Sequence, residues 1–155
     1  MGFTGNLLQW LVYCLNDRWQ CPRISEPARI ISGVIQGNCI SPLLFLLYVN
    51  SLIKIFDNDN NVMCHLFADA VKLYTVMKSP NDRASLQNGL DKVVDWSVAH
   101  RLPISVRICC CIVLGNVDAL NTVYNICEQP IDRVSEARDL GIIVDSTLKF
   151  TSHIK

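Results

Sequence analysis

The chain has 155 residues, half of them apolar and 18% charged, with 14 basic side chains balanced by 14 acidic ones. That composition excludes a disordered or fibrous chain and matches one globular domain around one hydrophobic core, of a size that buries roughly two thirds of its unfolded surface. The charge balance also counts against a protein that holds nucleic acid mainly through phosphates, which needs a basic excess.

In chain order, Thr4 to Trp19 places Leu7, Leu8, Leu11, Val12 and Leu15 at helical spacing, with Thr4 or Asn6 as a cap. Trp10, Tyr13 and Trp19 widen the apolar face. Pro22 and Pro27 break the pattern, and the short, β-branched stretch Arg29 to Val34 predicts a strand. The turn-rich loop Gln36-Gly37-Asn38-Cys39-Ile40-Ser41-Pro42 opens into a predicted buried helix from Leu43 to Phe56, with Pro42 suited to its first turn.

A polar tip, Asp57 to Asn61, leads to Cys64-His65-Leu66-Phe67-Ala68-Asp69-Ala70-Val71-Lys72-Leu73-Tyr74. One acid between two short apolar runs predicts a strand, a tight turn and a second strand, with Asp69 at the tip. On this stretch alone Asp69 reads first as an ordinary turn residue. A hairpin tip nevertheless lets a carboxylate face solvent, a metal or a phosphate without the cost of burial.

Ser79-Pro80-Asn81-Asp82 announces a second long helix, capped by Ser79 or Asn81, with Leu86, Leu90, Val93, Val94 and Val98 as its stripe and Trp96 close by. Gly89 weakens it slightly and Pro103 ends it. Ile108 to Leu114 predicts an apolar strand, and shorter ones follow at Thr122 to Ile126, Ile131 to Val134 and Leu140 to Val144, with a turn at Asp145-Ser146. The order argues for an α+β domain, an antiparallel sheet with helices packed on one face, with no internal repeat and no domain boundary.

The eight cysteines contain no C-x-x-C pair, and without a secretory leader a disulfide framework is not expected. Cys109-Cys110-Cys111 lies among Ile108, Ile112 and Val113, where cysteine serves as a small apolar residue. His65, His100 and His153 are scattered, and Asp57, Asp59, Asp91, Asp95 and Asp132 read as solvated charges. No signal peptide and no apolar run of roughly 18 residues is seen, so an intracellular, soluble chain without a membrane partner is expected.

Several of these stretches resemble the reverse transcriptases of jockey-like non-LTR retrotransposons. Phe67-Ala68-Asp69-Ala70 resembles the family's Phe-Ala-Asp-Asp hairpin, with Ala70 in place of the second acid. Ser32 to Phe45 is similar to its Ser-Gly-Val-Pro-Gln-Gly-Ser-Val-Leu-Gly-Pro-Leu-Leu-Phe segment. Gly5 to Trp10 with Asp17-Arg18, then Leu73-Tyr74, Leu86-Gln87, Leu90-Asp91, Trp96-Ser97, Asp139-Leu140-Gly141 and Asp145 to Phe150 continue the likeness in the family's order.

The resemblance implies a partial reverse-transcriptase palm over residues 1–155, with the upstream catalytic strand and most of the fingers and thumb lying outside it. It implies RNA-directed DNA synthesis by two-metal nucleotidyl transfer, with Mg²⁺, dNTP, an RNA template and a DNA primer. Asp69 would be the catalytic, metal-holding acid, Gln36 and Gly37 the loop near nucleotide and template, and Leu140 and Gly141 primer-grip-like, in the hairpin that supports the primer end. The family's first acid stands on a strand that would precede Thr4. Ile104 to Cys109 resembles a Phe-Asn-x-x-Lys-Cys stretch, with Ser105 and Ile108 replacing the Asn and the Lys that lies near the triphosphate. One metal-positioning group worth about 4 kcal/mol in the transition state is worth roughly a thousandfold in rate, so loss of activity is expected. The alternatives are a non-enzymatic nucleic-acid-binding remnant and a protein-interaction remnant. Nuclear localisation is what the family implies, and an open sheet edge predicts low solubility.

Overall fold

A computed structural model of the chain describes residues 4–21, 26–30, 33–34, 37–115 and 123–154. They belong to two compact units, residues 1–49 and 50–155.

The first unit opens with α1, Gly5–Leu15, which stops where Asn16 turns extended and Asp17 takes a φ of 51°. Leu11 is buried, whereas Leu7, Leu8, Trp10, Val12 and Tyr13 are exposed, so the broad apolar face expected of this helix is largely uncovered. Two short strands, β1 (Trp19–Gln20) and β2 (Ala28–Arg29), pair antiparallel with Trp19 opposite Arg29. The strand expected at Arg29 to Val34 is thus met at its first residue, and residues 31–32 lie outside those described. Helix α2, Ser41–Val49, starts from an Asx turn in which the Asn38 side chain accepts the Ile40 N–H at 3.1 Å. Pro42 occupies the first turn, as the sequence predicts.

The predicted helix to Phe56 is not continuous. After Val49 come a turn and a separate 3₁₀ helix, Ile53–Phe56. Asn50 and Ser51 compete with the backbone for hydrogen bonds and favour such a break, and the Ser51 hydroxyl accepts the Trp96 indole N–H at 3.1 Å.

The core of the second unit joins Leu52, Phe56 and Val62 with Val93 and Trp96, and Tyr124 and Ile126 are also buried in this unit. Asp59 organises the approach to the core. Its carboxylate accepts the N–H groups of Asn61 and Val62, each at 3.1 Å, and the Lys92 ammonium at 3.1 Å. Burial would raise its pKa, but these donors outweigh burial and hold it below the ordinary value, so Asp59 is an anchor rather than the solvated charge expected.

Hairpin β3–β4 (Met63–Phe67 and Ala70–Tyr74) follows, then α3, Pro80–Ala99. Asp82 reaches back to accept the N–H groups of Ser79 (2.6 Å) and Lys78 (2.8 Å), which satisfies donors at the helix start. Gly89 faces the core closely: a Cβ there would stand 3.2 Å from Val62 Cγ1. The glycine that the sequence marks as a weakness is a point of close approach.

Beyond a 3₁₀ turn at Val106–Ile108 lie β5 (Cys110–Cys111), β6 (Asn125–Ile126), β7 (Gln129–Pro130), β8 (Asp132–Arg133), β9 (Glu136–Asp139), β10 (Ile142–Asp145) and α4, Thr151–Ile154. Among the described residues the strands form five two-stranded pieces, β1–β2, β3–β4, β6–β7 and β9–β10 antiparallel and β5–β8 parallel. The mixed helix and strand content is that of an α+β chain with small antiparallel sheets. The chain reverses too often for long strands. Cys127-Glu128 and Leu140-Gly141 are two-residue turns with φ positive at both positions, which matches type I′.

Candidate functional site

The β3–β4 ladder runs from Met63 opposite Tyr74 to Phe67 opposite Ala70, leaving Ala68-Asp69 as a two-residue loop. Ala68 has a φ of 51°, in the left-handed region, and so takes the sharp reversal of the two-residue loop. A glycine is the usual occupant of that first position, so the Ala68 backbone is strained. Asp69 stands at the tip, exposed, where the sequence predicts it.

Side chains alternate across the hairpin. Cys64, Leu66, Val71 and Leu73 share one face, and Met63, His65, Phe67, Ala70, Lys72 and Tyr74 share the other. On the second face the Tyr74 hydroxyl and His65 Nε2 are hydrogen-bonded at 2.6 Å, while Phe67 is 60% exposed beside Ala70. Ala70, where the resemblance places a second acid, is half-buried.

Leu140 and Gly141 are not part of a strand, as expected from sequence, but the turn between β9 and β10, with φ of 48° and 89°. Asp139, the last residue of β9, accepts a hydrogen bond from Lys72 of β4, Nζ to Oδ2 at 2.6 Å. Two predicted site elements, the Asp69 hairpin and the Leu140-Gly141 turn, are therefore linked through residues 72 and 139, which nothing in the sequence pattern pairs.

Gln36 lies outside the described residues. Gly37 has a φ of 85° and open space where a Cβ would go, so backbone conformation is what requires glycine there. Ser105 precedes the 3₁₀ turn, and Ile108 is 82% exposed at the position where the resemblance implies a lysine.

Among the described residues no three His, Cys, Asp or Glu side chains come together to hold a metal ion. Asp69 alone does not make the donor set of a two-metal site, and no catalytic step through Mg²⁺ follows from the residues present. Burial pushes the thiols of Cys64, Cys109 and Cys111 up, the behaviour of packing cysteines rather than of ligands or nucleophiles. His100 stacks on Trp96 at 4.2 Å between ring centroids, with its Nδ1 2.9 Å from the Trp96 carbonyl, a helix-end role.

Sequence reading missed Asp145 as an organiser. Its carboxylate accepts the Thr147 hydroxyl and the N–H groups of Thr147, Lys149 and Phe150. These bonds, the Thr147 hydroxyl first, pull its pKa down to about 2 and fold the loop that precedes α4. The signal was present as Asp-Ser-Thr, an acid followed two residues later by a hydroxyl.

No protein-family model, no curated protein and no solved structure matches the chain. Among the described residues no helix is long and apolar enough to cross a membrane.

Proposed function

We propose that the chain is a segment of a reverse-transcriptase palm from a non-LTR retroelement, one that keeps the hairpin acid and does not polymerise by itself. The observation that carries this reading is the Asp69 hairpin: an antiparallel ladder closed by a two-residue loop that presents one carboxylate at its tip. Two further features support it. The Leu140-Gly141 turn, primer-grip-like by resemblance, is tied to that hairpin, and Ile108 is exposed where a polar residue is the ordinary choice. In this reading Asp69 is one metal-holding acid, Ala70 marks a lost one, and the remaining acid comes from a strand N-terminal to Thr4. Gln36 and Gly37 belong to the loop near nucleotide and template. The partners are an RNA template, a DNA primer and dNTP, and the compartment is the nucleus.

The test is primer extension on poly(rA)·oligo(dT) with Mg²⁺ and with Mn²⁺, for the chain, Asp69→Asn and Ala70→Asp, each with and without a polypeptide carrying the upstream palm strand. Silence from the chain alone is expected, with extension appearing only when Ala70→Asp meets the added strand. If that combination stays silent, the palm reading fails; extension by the unaltered chain that Asp69→Asn abolishes would instead overturn the claim of inactivity.

A second reading, a protein-interaction remnant, is favoured by the exposed Leu7, Leu8, Trp10, Val12 and Tyr13 of α1. A monodisperse monomer at high concentration would argue against it.

A further inference from the structure

We infer that the Lys72–Asp139 ion pair is a positioning device, setting where the Leu140-Gly141 turn stands relative to the Asp69 tip; the inference rests on the reverse-transcriptase reading, which assigns both turns to one site. The two hairpins belong to separate two-stranded sheets, so no backbone ladder fixes one against the other. A direct link between them is a side-chain bond across 67 positions of sequence, from Lys72 Nζ to Asp139 Oδ2 at 2.6 Å.

Its placement suits that task. Lys72 stands on the third rung from the tip, opposite His65, roughly 10 Å along the strand from Asp69. Asp139 occupies the first rung below its own turn, opposite Ile142, so a bond to its carboxylate acts on Leu140-Gly141 directly. Both partners sit on strands rather than loops, the rigid elements from which a site is best held.

The side chains are 38% and 40% exposed, a setting in which an ion pair contributes little to stability after screening. What remains is a distance restraint: with no ladder between the two hairpins, a 2.6 Å contact narrows the relative placements they can take even where its net contribution to folding is small. His65, the residue facing Lys72, is itself engaged with the Tyr74 hydroxyl.

The test measures the distance between the hairpins in the full chain, by double electron–electron resonance between spin labels on unnatural side chains at Met63 and Arg138, both exposed. A narrow distribution is expected for the parent chain and for Lys72→Arg. The narrow distribution should be lost in Lys72→Met and in Asp139→Asn and regained when Lys72→Asp is combined with Asp139→Lys. Salt titration of the parent chain needs no substitution at either position, and screening should broaden the distribution there too. A distribution unchanged by Lys72→Met, Asp139→Asn and salt overturns the inference, as does failure of the reversed pair to restore it while Trp96 fluorescence reports an intact core. The same samples are assayed for binding of a primer–template duplex. Lost and regained order without binding in any variant would overturn the shared site while leaving the ion pair's hold on the two turns in place, which separates failure of the functional reading from failure of the positioning.

Discussion

Gln87 of α3 binds the backbone of Asn125 in β6 with both ends of one amide: its Nε2 donates to the Asn125 carbonyl at 3.0 Å, and its Oε1 accepts the Asn125 N–H at 3.0 Å. The side chain thus takes the place of a neighbouring strand at that residue and docks β6, with buried Ile126 beside it, on the helix. Gln87→Leu removes both bonds and a third, exposed one from Nε2 to Asp91 Oδ1 at 2.8 Å, and at the usual net value of such hydrogen bonds the chain should lose about 2–3 kcal/mol. A urea midpoint that does not move would show that the docking comes from Tyr124 and Ile126 alone.

Ala68 carries its strain for the sake of the turn. Ala68→Gly should stabilise the chain by about 0.5–1 kcal/mol, the left-handed penalty relieved less the extra freedom that glycine adds to the unfolded chain. The thermal midpoint checks this. A fall on substitution would mean that the Ala68 methyl makes a contact worth more than the strain.

Gly89 is read through its distances. Alanine gains helix propensity and meets Val62 Cγ1 at 3.2 Å and Phe56 Cε1 at 3.5 Å, so the two effects oppose each other. Leucine has no such offset, and Gly89→Leu should cost about 1–3 kcal/mol by overpacking. Chemical denaturation of the two variants side by side distinguishes a tight contact from an open one.

Asp145 makes stability depend on acid. Its folded pKa of about 2 lies below the ordinary 3.8, so the folded chain holds the ionised form more firmly than the unfolded chain does. The contribution is therefore fully present above 3.8 and is lost as pH falls toward about 2. The gap in melting temperature between the parent chain and Asp145→Ala should be constant near neutrality and close across that window. A gap that persists undiminished to the acid end would assign the loop's order to Phe150 and its neighbours instead.

Ile108 is solvent-facing, and lysine should be accepted there. Ile108→Lys is expected to change stability by no more than about 0.5 kcal/mol and to raise the concentration at which light scattering detects association. A large loss of stability would show that Ile108 is a packing residue and would remove one support of the proposed function.

How much was readable in advance differed from element to element. The hairpin was legible because its alternation, its turn and its single polar tip residue all act within eleven residues. Helix α3 was legible because its start signals are local: Pro80 has no N–H to satisfy, and Asp82 accepts those of Lys78 and Ser79. Gln36 lies outside the described residues, whereas Gly37 kept the positive φ that a glycine in a turn-rich loop suggests. The helix predicted to Phe56 broke at Asn50 and Ser51, whose side chains compete with the backbone and outweigh the surrounding apolar run; the Trp96 indole that donates to Ser51 comes from 45 positions away. Leu140-Gly141 read as a strand because its neighbours Ile142, Ile143 and Val144 are β-branched; their ladder partners, Glu136 to Asp139, are too polar to announce one.

The sequence by itself determined what depends on near neighbours: where α1, α2 and α3 begin, and that Asp69 stands at a hairpin tip with Ala70 beside it. Only the tertiary structure decided what depends on residues far apart: that Lys72 meets Asp139, that Gln87 meets Asn125, and that Gly89 is a close approach rather than a weakness. The physical reason is range. Capping, turn chemistry and side-chain alternation are settled over a few residues, whereas an ion pair across 67 positions forms only after packing has brought its two strands together.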